Sequence, residues 1–184
     1  MQPSENPDHM EEPRMDVQKA VRTRRSIRKY QPFEIPEEKL KRVLEAGRLS
    51  PSAANQQPWH FIIITKPENR EKLRAAYAAD WFIQAPAILV VCADPFQAWT
   101  RRDGEEYWKV DAAIAMQSMA LAATEEGLGT CWIGAFDERE AKKALGIPEK
   151  IRVVAMTPLG YPAETKGEVR DRKPLEKILH REGW

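Results

Sequence analysis

Pro51-Ser52-Ala53-Ala54-Asn55-Gln56-Gln57-Pro58 runs directly into Trp59-His60-Phe61-Ile62-Ile63-Ile64-Thr65. The first eight residues are loop chemistry, small and amide side chains bounded by prolines. The next seven are β-branched and aromatic and read as a buried strand. His60, set in that apolar run, reads as a hydrogen-bonded core histidine. Upstream, Pro36 occupies the favoured first position of a helix, and Leu40, Val43, Leu44 and Gly47 follow at helical spacing until Pro51 stops it. Asp16 is a good N-cap for an earlier helix through Val17, Ala20 and Val21.

Downstream, a short helix is expected near Glu68–Tyr77, then a second buried strand, Ala87-Ile88-Leu89-Val90-Val91-Cys92-Ala93. A polar, aromatic-rich segment follows over Pro95–Tyr107. From about Glu105 to Glu126 the chain is alanine-rich and apolar nearly all round, so a long helix buried on most sides is expected there. It suits a domain centre or a dimer interface. Gly127-Leu128-Gly129 closes it as a helix cap, and Thr130–Phe136 begins a strand rather than a helix. Asp137 and Glu140 form a capping box for a helix to Leu145. Ile151–Leu159 reads as a third strand, and the charged tail after it is irregular. Helices and strands interleave, which means an α+β or α/β domain.

Composition narrows the function classes. The 184 residues fit one domain, expected over 15–184, behind a polar, proline-bearing leader over 1–14. Lys and Arg number 29 against 28 Asp and Glu, so no overall basic field draws the chain to nucleic acid or membrane. Two cysteines and three histidines lack metal-ligand spacing, and no metal is expected. Cys92 and Cys131 read as packing thiols. With no signal peptide and no apolar run long enough for a bilayer, the expected location is cytoplasmic.

Against that balance, Arg24-Arg25-Ser26-Ile27-Arg28-Lys29-Tyr30 concentrates four cations in one short loop. Such a loop is most often solvated surface, and a nucleic-acid patch would look the same. Three further patches weigh against both readings: PSAANQQPW over 51–59, GLGTCWIGAF over 127–136, and Arg170-Asp171-Arg172. Arginine forks bind phosphate bidentately, Asn55 can donate and accept towards ring amides, and Gly134 leaves backbone N–H open to a ring edge. Together they suit a planar, phosphorylated, amide-rich ligand. No paired-carboxylate, Ser/His/Asp or Cys/His constellation accompanies them.

In this order, RRSIRKY, SPSAANQQPWHFIII, APAILVVCAD, GLGTCWIGAF and RDRKPL resemble the FMN-dependent nitroreductase family over about residues 16 to 184. The resemblance implies an α+β fold with a mixed, mostly antiparallel central sheet flanked by helices. It implies a homodimer with two FMN sites at the interface. Arg24, Arg25, Ser26 and Arg28 would then hold the FMN phosphate, ribityl chain and one ring edge, with Arg170 and Arg172 completing the phosphate cradle. Pro51, Ser52, Ala53 and Asn55 would come from the other protomer and face the ring. The backbone of Trp132, Ile133, Gly134 and Ala135 would lie along the isoalloxazine, with Gly134 nearest the reactive N5. Trp99, Tyr107 and Trp108 would overhang the flavin and select the small-molecule substrate. The polar residue that relatives place after the first strand has no clear counterpart near Ala78-Ala79-Asp80-Trp81. The implied activity passes hydride from NADH or NADPH through FMN to nitroaromatic, quinone or similar acceptors by ping-pong turnover. Relatives that dehalogenate, fragment reduced flavin or oxidise azolines share the motifs, as would a non-catalytic flavin binder.

Overall fold

The computed structural model describes residues 16–184, so the leader over 1–14 lies outside the described residues. Helix α1 (Val17–Thr23) starts where Asp16 accepts from the Lys19 N–H at 2.7 Å, as an N-cap should. Helix α2 (Glu37–Arg48) follows Pro36 and buries Leu40, Val43 and Gly47 on one face. Strand β1 (Trp59–Ile64) leads to the short helices α3 (Pro67–Lys72) and α4 (Asp80–Ile83). Then come strand β2 (Ala87–Ala93), the long helix α5 (Trp108–Glu125) and strand β3 (Gly129–Thr130). Helix α6 (Glu138–Leu145) and strand β4 (Arg152–Gly160) complete the regular structure. Asp137 caps α6 through the Glu140 N–H, but the Asp137 N–H donates to the Ala76 carbonyl, so only half of the expected capping box forms.

The strands form one sheet in the order β1-β2-β4-β3, with every strand pair antiparallel. β2 is central and buried along its whole length. Its uninterrupted apolar run follows from burial on both faces. Ile88, Val90 and Cys92 face one core with Leu73, Phe82, Ile83, Ala141 and Met156. Ala87, Leu89, Val91 and Ala93 face the other with Leu40, Val43, Met116 and Met119. Helices therefore cover both faces of an antiparallel sheet, an α+β arrangement. α2 and α5 approach closely because Gly47 carries no side chain; a Cβ there would sit 2.7 Å from the Met119 sulfur.

Two expectations need correcting. β1 is an edge strand and only partly buried, and His60 is exposed on it rather than a core histidine. Period and composition cannot distinguish an edge strand from a central one; the neighbour on the far side decides. α5 begins at Trp108, three residues later than expected, because Thr100 and Glu106 pair as a small hairpin bridge before it. Among the described residues no helix is long and apolar enough to cross a membrane. Cys92 and Cys131 are free and buried, and burial pushes the Cys92 thiol up to about 12.

Phe82 is fully buried, with its ring edge-on to Tyr77 at 5.3 Å between centroids. Phe82→Ala should lower unfolding free energy by about 3–5 kcal/mol, the range for a deleted core aromatic. Urea denaturation at constant m-value measures it, and a loss under about 1 kcal/mol would show that this core can collapse around the gap.

Candidate cofactor site

The RRSIR loop leaves α1 in an extended conformation, and two neighbours fix it. On one side Ile27 donates its N–H to the Thr130 carbonyl at 2.9 Å, in a parallel bridge between Ser26 and Thr130. This makes the otherwise antiparallel sheet mixed at its β3 edge. On the other side the tail after β4 runs back along the loop. Gln31 N–H reaches the Tyr161 carbonyl, Ala163 N–H the Lys29 carbonyl and Val169 N–H the Arg22 carbonyl, each at 2.9 Å. Side chains reinforce the pairing. Arg25 donates to the Gly167 carbonyl at 2.6 Å, Glu164 accepts the Arg28 N–H at 2.7 Å, and Lys166 donates to the Ser26 carbonyl at 2.6 Å. Two segments some 140 residues apart in sequence thus lie side by side.

Between them opens a cavity of about 220 Å³ lined by Arg24, Arg25, Ser26, Arg28, Lys166, Val169, Asp171 and Arg172. Five cations face one carboxylate there. Arg172 pairs with Asp171 and Lys166 with Glu164, whereas Arg24, Arg25 and Arg28 have no ion pair among the described residues. The Arg28 guanidinium lies 5.8 Å from the Trp81 ring centroid, which brings the segment after β1 beside the cavity. Unpaired guanidinium groups around a small, polar cavity attract a compact anion. The sequence reading missed Lys166 and Asp171. Lys166 stands in no motif, Asp171 lies between the two arginines of the late patch without a role of its own there, and the antiparallel return of the tail brings both here. Arg170, expected in the cradle, is exposed and lies outside the cavity lining.

Residues 130–135 continue from the same bridge. Ile133 is buried and exchanges backbone hydrogen bonds with Met156 at 2.8 and 3.1 Å, so its side chain belongs to the core. Trp132 is exposed, as are Gly134 and Ala135. A Cβ built on Gly134 would meet only the Trp132 ring nitrogen, at 3.7 Å, so its backbone is open to a flat ligand.

The ring-facing loop expected over 51–57 lies elsewhere. It enters β1 at Trp59, which pairs with Ala93; Thr130 pairs with Leu159, which pairs with Ala87. Six strand residues at about 3.3 Å each separate those ends, roughly 20 Å. Ser52 and Ala53 are half-buried, and Pro51 and Asn55 exposed. Ala53 donates its N–H to Asp111 at 2.9 Å, which ties the loop to the first turn of α5. Asp111 is 1% exposed, its second carboxylate oxygen has no partner among the described residues, and burial raises its pKa. An acceptor left so costs about 1–3 kcal/mol.

The segment expected to select substrate lies at this same end. Trp99 and Tyr107 pack edge-to-face at 4.9 Å, and Arg101 donates to the Tyr107 hydroxyl at 3.1 Å. Trp108 differs from expectation. It is buried at 4% exposure in the core, its indole N–H donating to Glu106 and Arg152 lying 5.1 Å from its ring centroid. As the first residue of α5 it turns inward with the helix face.

The nitroreductase family model matches residues 21–82 and 74–161. The chain belongs to the nitroreductase family. A relative in Methanothermobacter thermautotrophicus, provisionally named NADH dehydrogenase/NAD(P)H nitroreductase, is 39% identical over 93% of this chain and 89% of its own. A solved nitroreductase family protein from Clostridium difficile superposes with a TM-score of 0.83 at 30% identity, covering 92% of this chain and 99% of that one. An FMN-dependent nitroreductase from Clostridium difficile superposes at 0.77, also at 30% identity, covering 90% and 98%. Antiparallel sheet, flanking helices and the ordered motifs thus agree with the nitroreductase fold.

Docking of the RRSIR loop needs Gly129. A Cβ there would sit 2.7 Å from Ile27 Cγ1 and 2.8 Å from Ile27 Cβ. Gly129→Ala should push Ile27 off the sheet edge and destabilise the protein by about 1–3 kcal/mol. A variant whose urea midpoint matches the wild type would show that the loop docks without this close approach.

Proposed function

We propose that this nitroreductase family member is a homodimeric, FMN-dependent NAD(P)H oxidoreductase acting on nitroaromatic, quinone or similar small acceptors. The observation that carries this reading is the cationic cavity between the RRSIR loop and the returning tail. An FMN phosphate holds close to two negative charges near neutral pH. Arg24, Arg25 and Arg28, all without ion pairs among the described residues, supply the complementary charge, and the Ser26 hydroxyl adds a donor. The open backbone at Gly134 fits a flat ring beyond the phosphate. When bound, FMN would supply the redox chemistry, taking hydride from NADH or NADPH and passing it to the acceptor in ping-pong turnover.

The protein's part is then to bind, orient and shield. Arg24, Ser26 and Arg172 would anchor the phosphate, and Lys166 would hold the Ser26 backbone in place from behind. The Gly134 and Ala135 N–H groups would stabilise charge on the reduced ring, the Ile133 N–H being taken by the Met156 carbonyl. No side-chain acid or base is required, which suits a site whose ionisable groups are almost all arginine and lysine.

A second copy completes the site in this reading. Loop 51–57 and the Trp99–Tyr107 hairpin lie at one end of the sheet, roughly 20 Å along the strands from the end where the RRSIR loop docks, so in this reading they serve the cavity of a partner. An apolar surface for such a partner is present. Val110 and Ile114 lie one turn apart on α5 and are 42% and 37% exposed; Val17 and Val21, on the α1 helix packed against α5, are 71% and 50% exposed. Ile114→Asp should convert a dimer of twice 21.1 kDa to monomers by light scattering, and should weaken FMN binding with it. Monomers with undiminished FMN affinity would overturn the shared site.

The purified protein should be yellow, release FMN on denaturation and bleach with NADH or NADPH. Arg24→Ala should weaken FMN binding by roughly 1.5–3 kcal/mol, about ten- to a hundredfold, the scale for one charge-assisted hydrogen bond. Fluorescence titration of the apoprotein with FMN reads this directly. A colourless protein that FMN cannot reconstitute refutes the function, and unchanged affinity in Arg24→Ala refutes that residue's role.

A further inference from the structure

The loop before β1 keeps an unusual backbone. Ala54, Asn55 and Gln57 have φ of 49°, 55° and 51°. None is glycine, and in this left-handed region the Cβ crowds the carbonyl, so each residue resists the conformation unless its surroundings impose it. Most of the loop's side-chain bonds are internal. Ser52 Oγ accepts from the Gln57 N–H at 2.9 Å, and the Gln57 amide donates to Asn55 Oδ1 at 3.1 Å. These close the loop on itself without saying where it points.

Two bonds flank the strained part: at the β1 end the Asp94 N–H donates to the Pro58 carbonyl at 2.8 Å, and at the other end the Ala53 N–H donates to Asp111 Oδ1 at 2.9 Å, the one contact that reaches into the loop itself. Asp111 sits in the first turn of α5, a long helix packed on the sheet and on α2, and so offers a rigid anchor. It has no ion-pair partner among the described residues, and its other oxygen is unbonded there. A carboxyl buried on such poor terms is explained when its one good contact fixes a backbone that would otherwise relax.

We propose that Asp111 is the positioning residue that imposes the left-handed shape of loop 51–57 and so sets how Asn55 is presented to a flavin held by a second copy. The tether stands on this chain alone; the presentation rests on the flavin reading above. Hydrogen exchange on the flavin-free protein and FMN titration test the two separately.

Asp111→Asn keeps an oxygen to accept from Ala53, so loop exchange should stay within about twofold of wild type. Asp111→Ala removes it. The Gln57 amide should then exchange about tenfold faster or more while amides of β2 keep their protection, and FMN affinity should fall about fivefold or more. Ala53→Pro deletes the donor from the loop side, where proline suits the first position of the helical turn. It should speed Gln57 exchange in the same way and serves if Asp111→Ala does not fold. Unchanged Gln57 exchange in these variants overturns the tether. A loosened loop with undiminished FMN affinity in Asp111→Ala overturns the positioning role. A wild type that binds no FMN defeats the flavin reading and the presentation with it, while exchange still decides the tether.

Discussion

The bond from the Ile27 N–H to the Thr130 carbonyl, 2.9 Å long, is the constraint on which the candidate site depends. It joins an N-terminal loop to the far edge of a sheet built from later strands. Everything cationic in the cavity hangs from it. Arg24, Arg25, Ser26 and Arg28 take their directions from a backbone pinned there, and the tail that brings Lys166 and Arg172 is zipped onto the same backbone from outside. The bond is possible because Gly129 leaves room for Ile27 to lie flat against β3.

The second constraint is distance. α5 spans 18 residues and β2 seven, and the two groups of candidate site residues attach near opposite ends of them. Asp111 holds loop 51–57 near the end where Trp59 meets Ala93, and Thr130 holds the RRSIR loop near the end where Leu159 meets Ala87. A rigid element cannot bring its own ends together. Two copies related by a twofold axis can, since such an axis pairs one end of each with the other end of its mate.

Much of the fold was legible in the sequence because it rests on local physics. β2 matches the apolar run Ala87–Ala93 residue for residue, since a strand covered on both faces must be apolar throughout. α1 and α6 begin at Asp16 and Asp137, since a carboxylate there satisfies an otherwise orphaned helix N–H. His60 and Trp108 were misjudged for the converse reason. Whether an aromatic side chain on a strand or a helix start faces core or solvent depends on which element lies next to it, and no local pattern carries that information. His60 stands on a strand with one neighbour, and Trp108 opens a helix whose inner face joins the core with α2 and β2.

The ordered motifs, by themselves, determined the α+β class, the family resemblance and the arginines and serine that line the cavity. Charge and turn chemistry are written in residue identity. Only the tertiary structure decided that Lys166 and Asp171 belong to that cavity, that Arg170 does not, and that loop 51–57 lies at the opposite end of its own chain. Those facts follow from the antiparallel return of the tail and from sheet register, which pair residues by position along strands rather than along the sequence.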